Sequence, residues 1–271
     1  MSAIIFSKNR AMQLDLCLSS LYLNIEEKDL PISVIYNASE RHENSYNALK
    51  EEYKDVNFVR ESVFKEDVLN LIRDKTYILF LVDDNIFVNN FSFKEITNCL
   101  EENKDAIGFS LRLGRNTKLC FPVYKNQAIP DYEAVRHNII KFKWTTADLD
   151  FNYPLEISSS VYDVSGNLKQ IFEKLNYINP NYLEFEMACN AGFFRNIHPF
   201  LLSYLDSVSF CNPVNKVQTF NNNRVGDNLK YSTENLLTEF EKCGRINPLQ
   251  LKGFVSNGAH QLVEMEIEYK T

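Results

Sequence analysis

Glycine and proline are scarce, eight of each in 271 residues, and tryptophan occurs once. That scarcity excludes collagen-like and low-complexity chains, which need one or both in bulk. No apolar run approaches the twenty or so residues that cross a bilayer as a helix. The first, Ala3 to Phe6, is followed at once by Lys8 and Arg10, so MSAIIFSKNRAMQ reads as neither a signal peptide nor a span, and a cytoplasmic location is the default expectation. Basic charge is also short. With 29 Lys and Arg against 36 Asp and Glu, a net charge of -7 and a pI near 5.3, no overall field draws the chain to nucleic acid. The six cysteines (Cys17, Cys99, Cys120, Cys189, Cys211 and Cys243) lie far apart and form no C-x-x-C. They fit neither a structural zinc site nor a dense disulfide framework, and buried thiols are expected.

What the sequence does have is apolar material, 45% of residues, enough at 31.6 kDa to bury roughly three quarters of the unfolded surface. SAIIFS at 2–7 reads as a buried strand. Leu14, Cys17, Leu18, Leu21 and Ile25 then recur at helical spacing. PISVIYN and VNFVRE give two further strands, with a polar helix over 40–53 between them that turns Tyr46, Leu49 and Tyr53 inward. A helix near 66–73 leads to TYILFLVDDN, whose unbroken apolar run suits a strand buried on both faces of a parallel sheet. A helix at 92–103 and a strand at 106–114 complete an α/β unit. Ligands of such units bind at the carboxyl ends of the strands. Beyond Gly114 the pattern loosens around Pro122, Pro130 and Pro154, with helices expected near 166–176, 181–191 and 232–243, the last capped by Gly244. LVEMEIEY then alternates as a final strand.

Asp83-Asp84-Asn85 stands at the end of the most apolar strand, where adjacent carboxylates suit a divalent cation or a ribose; the plain alternative is a turn that caps the next segment. Ser7, Lys8 and Arg10 form a basic turn before a helix, fitted to phosphate or, more simply, to solvent.

Through FSKNRAMQLDLCLSSL, the strand pair PISVIYNAS and VNFVRE, and YILFLVDDNIF with its DxD-like motif, the chain resembles the GT-A nucleotide-sugar glycosyltransferases. Within them it looks like a bacterial, family 2-like branch beginning F-S-K-x-R-x-x-Q-L. The likeness covers the first 115 residues well and the rest weakly. It implies an α/β, Rossmann-like, mainly parallel sheet flanked by helices, with residues 1–115 as the nucleotide-sugar half and 116–271 as a less regular acceptor half of one continuous domain. It also implies that Phe6, Ser7 and Arg10 lie at the nucleotide, Asp83 at the ribose, and Asp84 or Asn85 at Mn²⁺ or Mg²⁺, with His260 as a further metal ligand. Asn85 departs from the usual third Asp, and His260 also reads as a surface loop residue. The activity implied is transfer of a sugar from a nucleotide-diphosphate donor to a hydroxyl in surface polysaccharide or glycoconjugate synthesis. The acceptor would be a carbohydrate or a lipid-linked molecule, the latter bringing the protein to the inner face of a membrane.

An inverting transfer needs a base for the acceptor hydroxyl. Glu184 and Glu186 at the start of a helix are the candidates, although Asn181 and Glu184 also fit a capping pattern. Asp148, Asp150 and Asp163 stay open. Trp144 with Phe142 offers a sugar platform, or simply core; the amides from Cys211 to Gln218, with Asn222, Asn223 and Arg224, offer contacts to sugar or phosphate, or an ordinary loop. Two other functions are compatible with the pattern: a sugar nucleotidyltransferase, against which the absence of Gly in SKNRAMQ counts, and a non-catalytic α/β module that binds Mg²⁺, against which the position of the acidic pair counts.

Overall fold

The computed structural model describes residues 1–217 and 224–269. Strands and helices alternate through the first half: β1 (Ser2–Lys8), α1 (Ala11–Asn24), β2 (Ile32–Asn37), α2 (Glu40–Glu52), β3 (Asn57–Arg60), α3 (Phe64–Ile72) and β4 (Tyr77–Val82). They are followed by β5 (Asn85–Phe87), α4 (Phe93–Glu102) and β6 (Ala106–Ser110). The second half holds β7 (Leu119–Cys120), β8 (Lys125–Asn126), β9 (Tyr132–Arg136), β10 (Ile139–Lys143), β11 (Ser160–Asp163), α5 (Asn167–Lys174), α6 (Pro180–Asn190), β12 (Phe200–Tyr204), β13 (Ser209–Cys211), α7 (Thr233–Glu241), β14 (Gly244–Ile246) and β15 (Ile267–Tyr269).

Among the described residues one nine-stranded sheet runs β3-β2-β1-β4-β11-β6-β12-β10-β9. β1 pairs in parallel with β2 and β4, β2 with β3, and β6 with β12. Only β11 and β10 run against the rest, so the sheet is mainly parallel in direction, and helices flank it as an α/β pattern requires. Alternate residues of β1 and β4 serve two cores. Ala3, Ile5, Leu79 and Leu81 enter the cluster with α1, while Ile4, Phe6, Ile78 and Phe80 enter the cluster with α3 and α5. Burial on both faces explains why these strands read as continuous apolar runs instead of alternating ones. Phe80 stacks on Phe172 at 5.5 Å, and each such fully buried side chain contributes roughly 1.5–3 kcal/mol.

The sheet crosses the boundary at residue 115, since β11 inserts between β4 and β6. This interleaving also builds the site. A Cβ on Gly108 would meet the Tyr162 ring at 2.5 Å, so glycine lets β6 lie against Tyr162 of β11. The Tyr162 hydroxyl in turn accepts from the Glu156 amide at 2.9 Å and faces the Pro154 and Glu156 carbonyls, fixing the loop that carries Glu156.

Several local expectations are corrected. Trp144 and Phe142 are core, 4% and 1% exposed, and the indole N–H donates to the His198 carbonyl, so no sugar platform forms there. The left-handed residue after α7 is Cys243 (φ 63°), and Gly244 opens β14 instead. The final strand is confined to Ile267–Tyr269 because the Val263 and Met265 amides donate to the Asn212 side chain and the Tyr231 hydroxyl. Four cysteines are buried as expected, whereas Cys189 and Cys243 are exposed. No helix of the described residues is long and apolar enough to cross a membrane.

Candidate active site

A cavity of about 710 Å³ opens at the carboxyl ends of β1, β2 and β4 and reaches across to α6. It brings Phe6, Ser7, Arg10, Asp83, Asp84, Glu184 and His260 to one place. Asn85 and Glu186 are not among its lining residues.

On the strand-end wall a hydrogen-bonded relay orders Asp83. The Arg10 amide donates to the Tyr46 hydroxyl at 3.2 Å, Tyr46 and Ser7 share a 2.6 Å bond, and Ser7 Oγ donates to Asp83 Oδ2 at 2.9 Å. The Lys8 amide donates to the same oxygen, and the Arg10 guanidinium pairs with Asp83 Oδ1 at 2.9 Å and Asp84 Oδ2 at 3.5 Å. Arg10 also donates through Nε and its remaining nitrogen to Asn215. Its side chain is only 10% exposed, and although burial alone would lower its pKa, the two carboxylates raise it. Most of the guanidinium's donors are therefore spent on Asp83, Asp84 and Asn215, while the side chain still lines the cavity. Asp84 keeps a face toward the cavity, with its pKa raised by burial to about 6 against the pull of Arg10.

Of the three expected metal ligands, Asp84 and His260 line the cavity and Asn85 does not. Asn85 is fully buried: its Oδ1 accepts from the Val82 amide at 2.8 Å and its Nδ2 donates to Cys211 Sγ at 2.9 Å. It closes the turn into β5, the plainer of the two sequence readings. His260 lines the cavity, but its Nε2 lies 3.2 Å from Arg112. A guanidinium only donates, so the Nε2 lone pair is taken. Burial and then Arg112 hold the imidazole pKa down to about 3. Among the described residues no group of three or more His, Cys, Asp or Glu is gathered in a metal-binding arrangement.

The opposite wall comes from α6. Asn179 caps this helix by accepting from the Tyr182 amide at 3.1 Å, and Pro180 occupies its first turn. The cap fixes which face looks inward. Glu184 lines the cavity, and burial first, then the nearby Glu156, raise its carboxyl pKa to about 7, while the Tyr153 hydroxyl bonds to it. Glu156 is itself buried, pairs with Arg112 at 2.8 Å and accepts from Ser160 Oγ. Asp150 also lines the cavity but is tied to Gln127 and Cys120. Asp163 pairs with Tyr77 at the far end of β4.

The amides near residue 212 turn out to be structural. Asn212 bonds to Val263 through both side-chain atoms, and Asn215 bridges Arg10 and the Tyr231 carbonyl. Gln218, Asn222 and Asn223 lie outside the described residues. Arg224 lines the cavity and rests over the Tyr124 ring at 4.7 Å. The sequence reading missed Arg112, Glu156 and Tyr153. A signal for the first two was present, since each is a lone charge inside an apolar stretch, a pattern tolerated in a core only when the charge is paired.

No family model matches the chain. It is 28% identical to a bifunctional glycosyltransferase, pgtA of Dictyostelium discoideum, over 67% of its own length and 27% of that protein's. The chain thus spans about a quarter of the curated relative it matches. Among solved structures, residues 1–349 of Staphylococcus aureus TarS align with a TM-score of 0.45 and 11% identity, covering 77% of this chain and 59% of that one. A cytidylyltransferase from Leptospira borgpetersenii aligns with a TM-score of 0.40 and 11% identity, covering 76% of each chain. Both structural likenesses are distant; the sequence likeness to a glycosyltransferase is the stronger finding.

Proposed function

We propose that this chain is a glycosyltransferase that moves a sugar from a nucleotide-diphosphate donor to an acceptor hydroxyl. The observation that carries the reading is the cavity itself, which sets Asp83 and Asp84 at the end of a parallel strand across from a half-buried, weakly acidic Glu184. The likeness to pgtA supports it.

The nucleotide would lie over Phe6 and Ser7. Asp83, held by Ser7 and Lys8 at Oδ2 and by Arg10 at Oδ1, retains one lone pair on Oδ1 that can accept from a ribose hydroxyl. Asp84 would hold a Mn²⁺ or Mg²⁺ ion together with phosphate oxygens of the donor, since Mg²⁺ commonly binds through one or two carboxylates and substrate phosphate. Such an ion would offset the charge of the departing diphosphate. Glu184 takes the proton of the acceptor hydroxyl as that oxygen bonds to the anomeric carbon and the bond from that carbon to the diphosphate breaks. Its pKa near 7 suits a base that must be ionised yet hold a proton. This assignment makes the transfer inverting. Synthesis of a bacterial surface polysaccharide or glycoconjugate is the setting we infer from the sequence resemblance.

Calorimetric titration with UDP-, GDP- and dTDP-sugars, with and without Mn²⁺, tests the reading. At least one donor should bind, more tightly with the ion, and Asp84→Asn should remove most of the ion's effect. Binding of none of them would overturn it.

A further inference from the structure

A buried ion pair is a poor device for stability alone, because desolvating two charges commonly offsets their attraction and well-packed apolar side chains serve as well. Arg112 and Glu156 are such a pair, both buried, both lining the cavity and 2.8 Å apart. The Arg112 Nε is also buried with no partner among the described residues, and a native core leaves few donors so. What the pair does have is reach. One terminal nitrogen of Arg112 donates to Glu156 Oε2, and the other donates to Cys211 Sγ at 3.2 Å and to His260 Nε2 at 3.2 Å. Cys211 and Glu156 belong to different walls of the cavity. Cys211 ends β13 and pairs with Asn85 of β5; the Asn212 amide donates to the Asp84 carbonyl at 2.9 Å, and the Cys211 thiol bonds to the Asp84 carboxylate. Glu156 sits in the loop that holds Glu184, whose carboxylate is bonded by the Ile157 amide and the Tyr153 hydroxyl. A planar guanidinium grips two such partners at a fixed angle, whereas a lysine ammonium is one point charge on a flexible stem.

Resting on the glycosyltransferase reading, we propose that Arg112 is a positioning residue for the transfer: through Cys211 on one side and Glu156 on the other, it holds the 153–158 loop, and with it the Glu184 carboxylate, in register with the strand end that carries Asp84. The pair also acts on the base through charge. Glu156 favours the protonated form of Glu184 and Arg112 the ionised form, with Tyr153 and the Ile157 amide as the other groups that bear on it. A pair that only filled the core would leave the protonation of Glu184 untouched.

The test compares the full native chain with Glu156→Gln, Arg112→Lys and the double variant Arg112→Met/Glu156→Met, in which an apolar pair replaces the ions and should keep the fold. Affinity for the UDP-, GDP- or dTDP-sugar that the native chain binds best should stay within about threefold in all of them, because the β13–β5 pairing and Asn85 still hold the strand end. The rate of nucleoside-diphosphate release, with simple sugars present as acceptors, should fall about ten- to hundredfold in Arg112→Lys and in the double variant, as lost alignment predicts. Carbon-13 NMR of the carboxyl groups, with the Glu184 resonance assigned by its loss in Glu184→Gln, needs neither donor nor acceptor. There Glu184 should titrate about half a pH unit or more lower in Glu156→Gln than in the native chain, since a like charge has gone. An unmoved titration in Glu156→Gln, or a folded double variant that transfers at the native rate, overturns the positioning role and leaves the donor reading intact. Equal losses of rate and donor affinity make the pair part of the donor wall and overturn it as well. Absence of sugar-nucleotide binding by the native chain overturns both.

Discussion

At the scale of single residues, burial decides between ligand and structural roles that look alike in a sequence. Asn85 sits in a motif where a metal ligand is expected, yet both ends of its amide are consumed by Val82 and Cys211. Restoring the acidic residue therefore has a cost instead of a benefit. Asn85→Asp places a carboxylate where nothing is solvent-exposed and removes the donor to Cys211, so it should destabilise the fold by about 2 to 4 kcal/mol without tightening Mn²⁺ binding. Denaturant unfolding and a metal titration on the same protein check this, and tighter binding at unchanged stability would restore Asn85 as a ligand. Arg10 carries the same lesson. As a basic residue in a turn it reads as a phosphate contact, but two carboxylates and Asn215 are close enough in space to claim it. Neither pairing has any local signature, because 73 and 205 positions separate the partners along the chain.

At the scale of elements, the regular half was legible and the irregular half only partly so. Strands buried on both faces and helices with an apolar stripe announce themselves through periodicity, which is why β1 through β4 and α4 appear where the residues place them, whereas the short β5 does not. The insertion of β11 between β4 and β6 depends on pairing over some fifty to eighty residues and has no local signal. Of the site, the strand-end carboxylates and Glu184 could be read in advance, whereas the Arg112–Glu156 pair needed the fold to bring its partners together. Helix α6 shows how a legible local device can position chemistry. Its Asn179 cap fixes the first turn, and Glu184 rides on the second. Asn179→Ala should cost about 1 kcal/mol of stability and, by loosening that turn, lower the transfer rate more than sugar-nucleotide affinity, whereas Asn179→Ser should largely restore both. Equal losses in rate and donor affinity would place α6 at the donor instead.

At the scale of the whole molecule, one sheet binds the two halves and one cavity is lined from both. Under the proposed function the strand ends would hold the nucleotide and α6 would bring the base. The central claim is that Glu184 is the base between the two walls. The direct measurement is the rate of nucleoside-diphosphate release from the bound sugar nucleotide, with a panel of simple sugars present as acceptors, against pH for the native chain and Glu184→Gln. Because the group must be ionised to accept a proton, the native rate should rise with pH through about 7 and level off above it. Glu184→Gln should lower the plateau at least about a hundredfold and lose that rise, with sugar-nucleotide affinity within about twofold of native. A Glu184→Gln variant that keeps the native rate and pH profile would contradict the account.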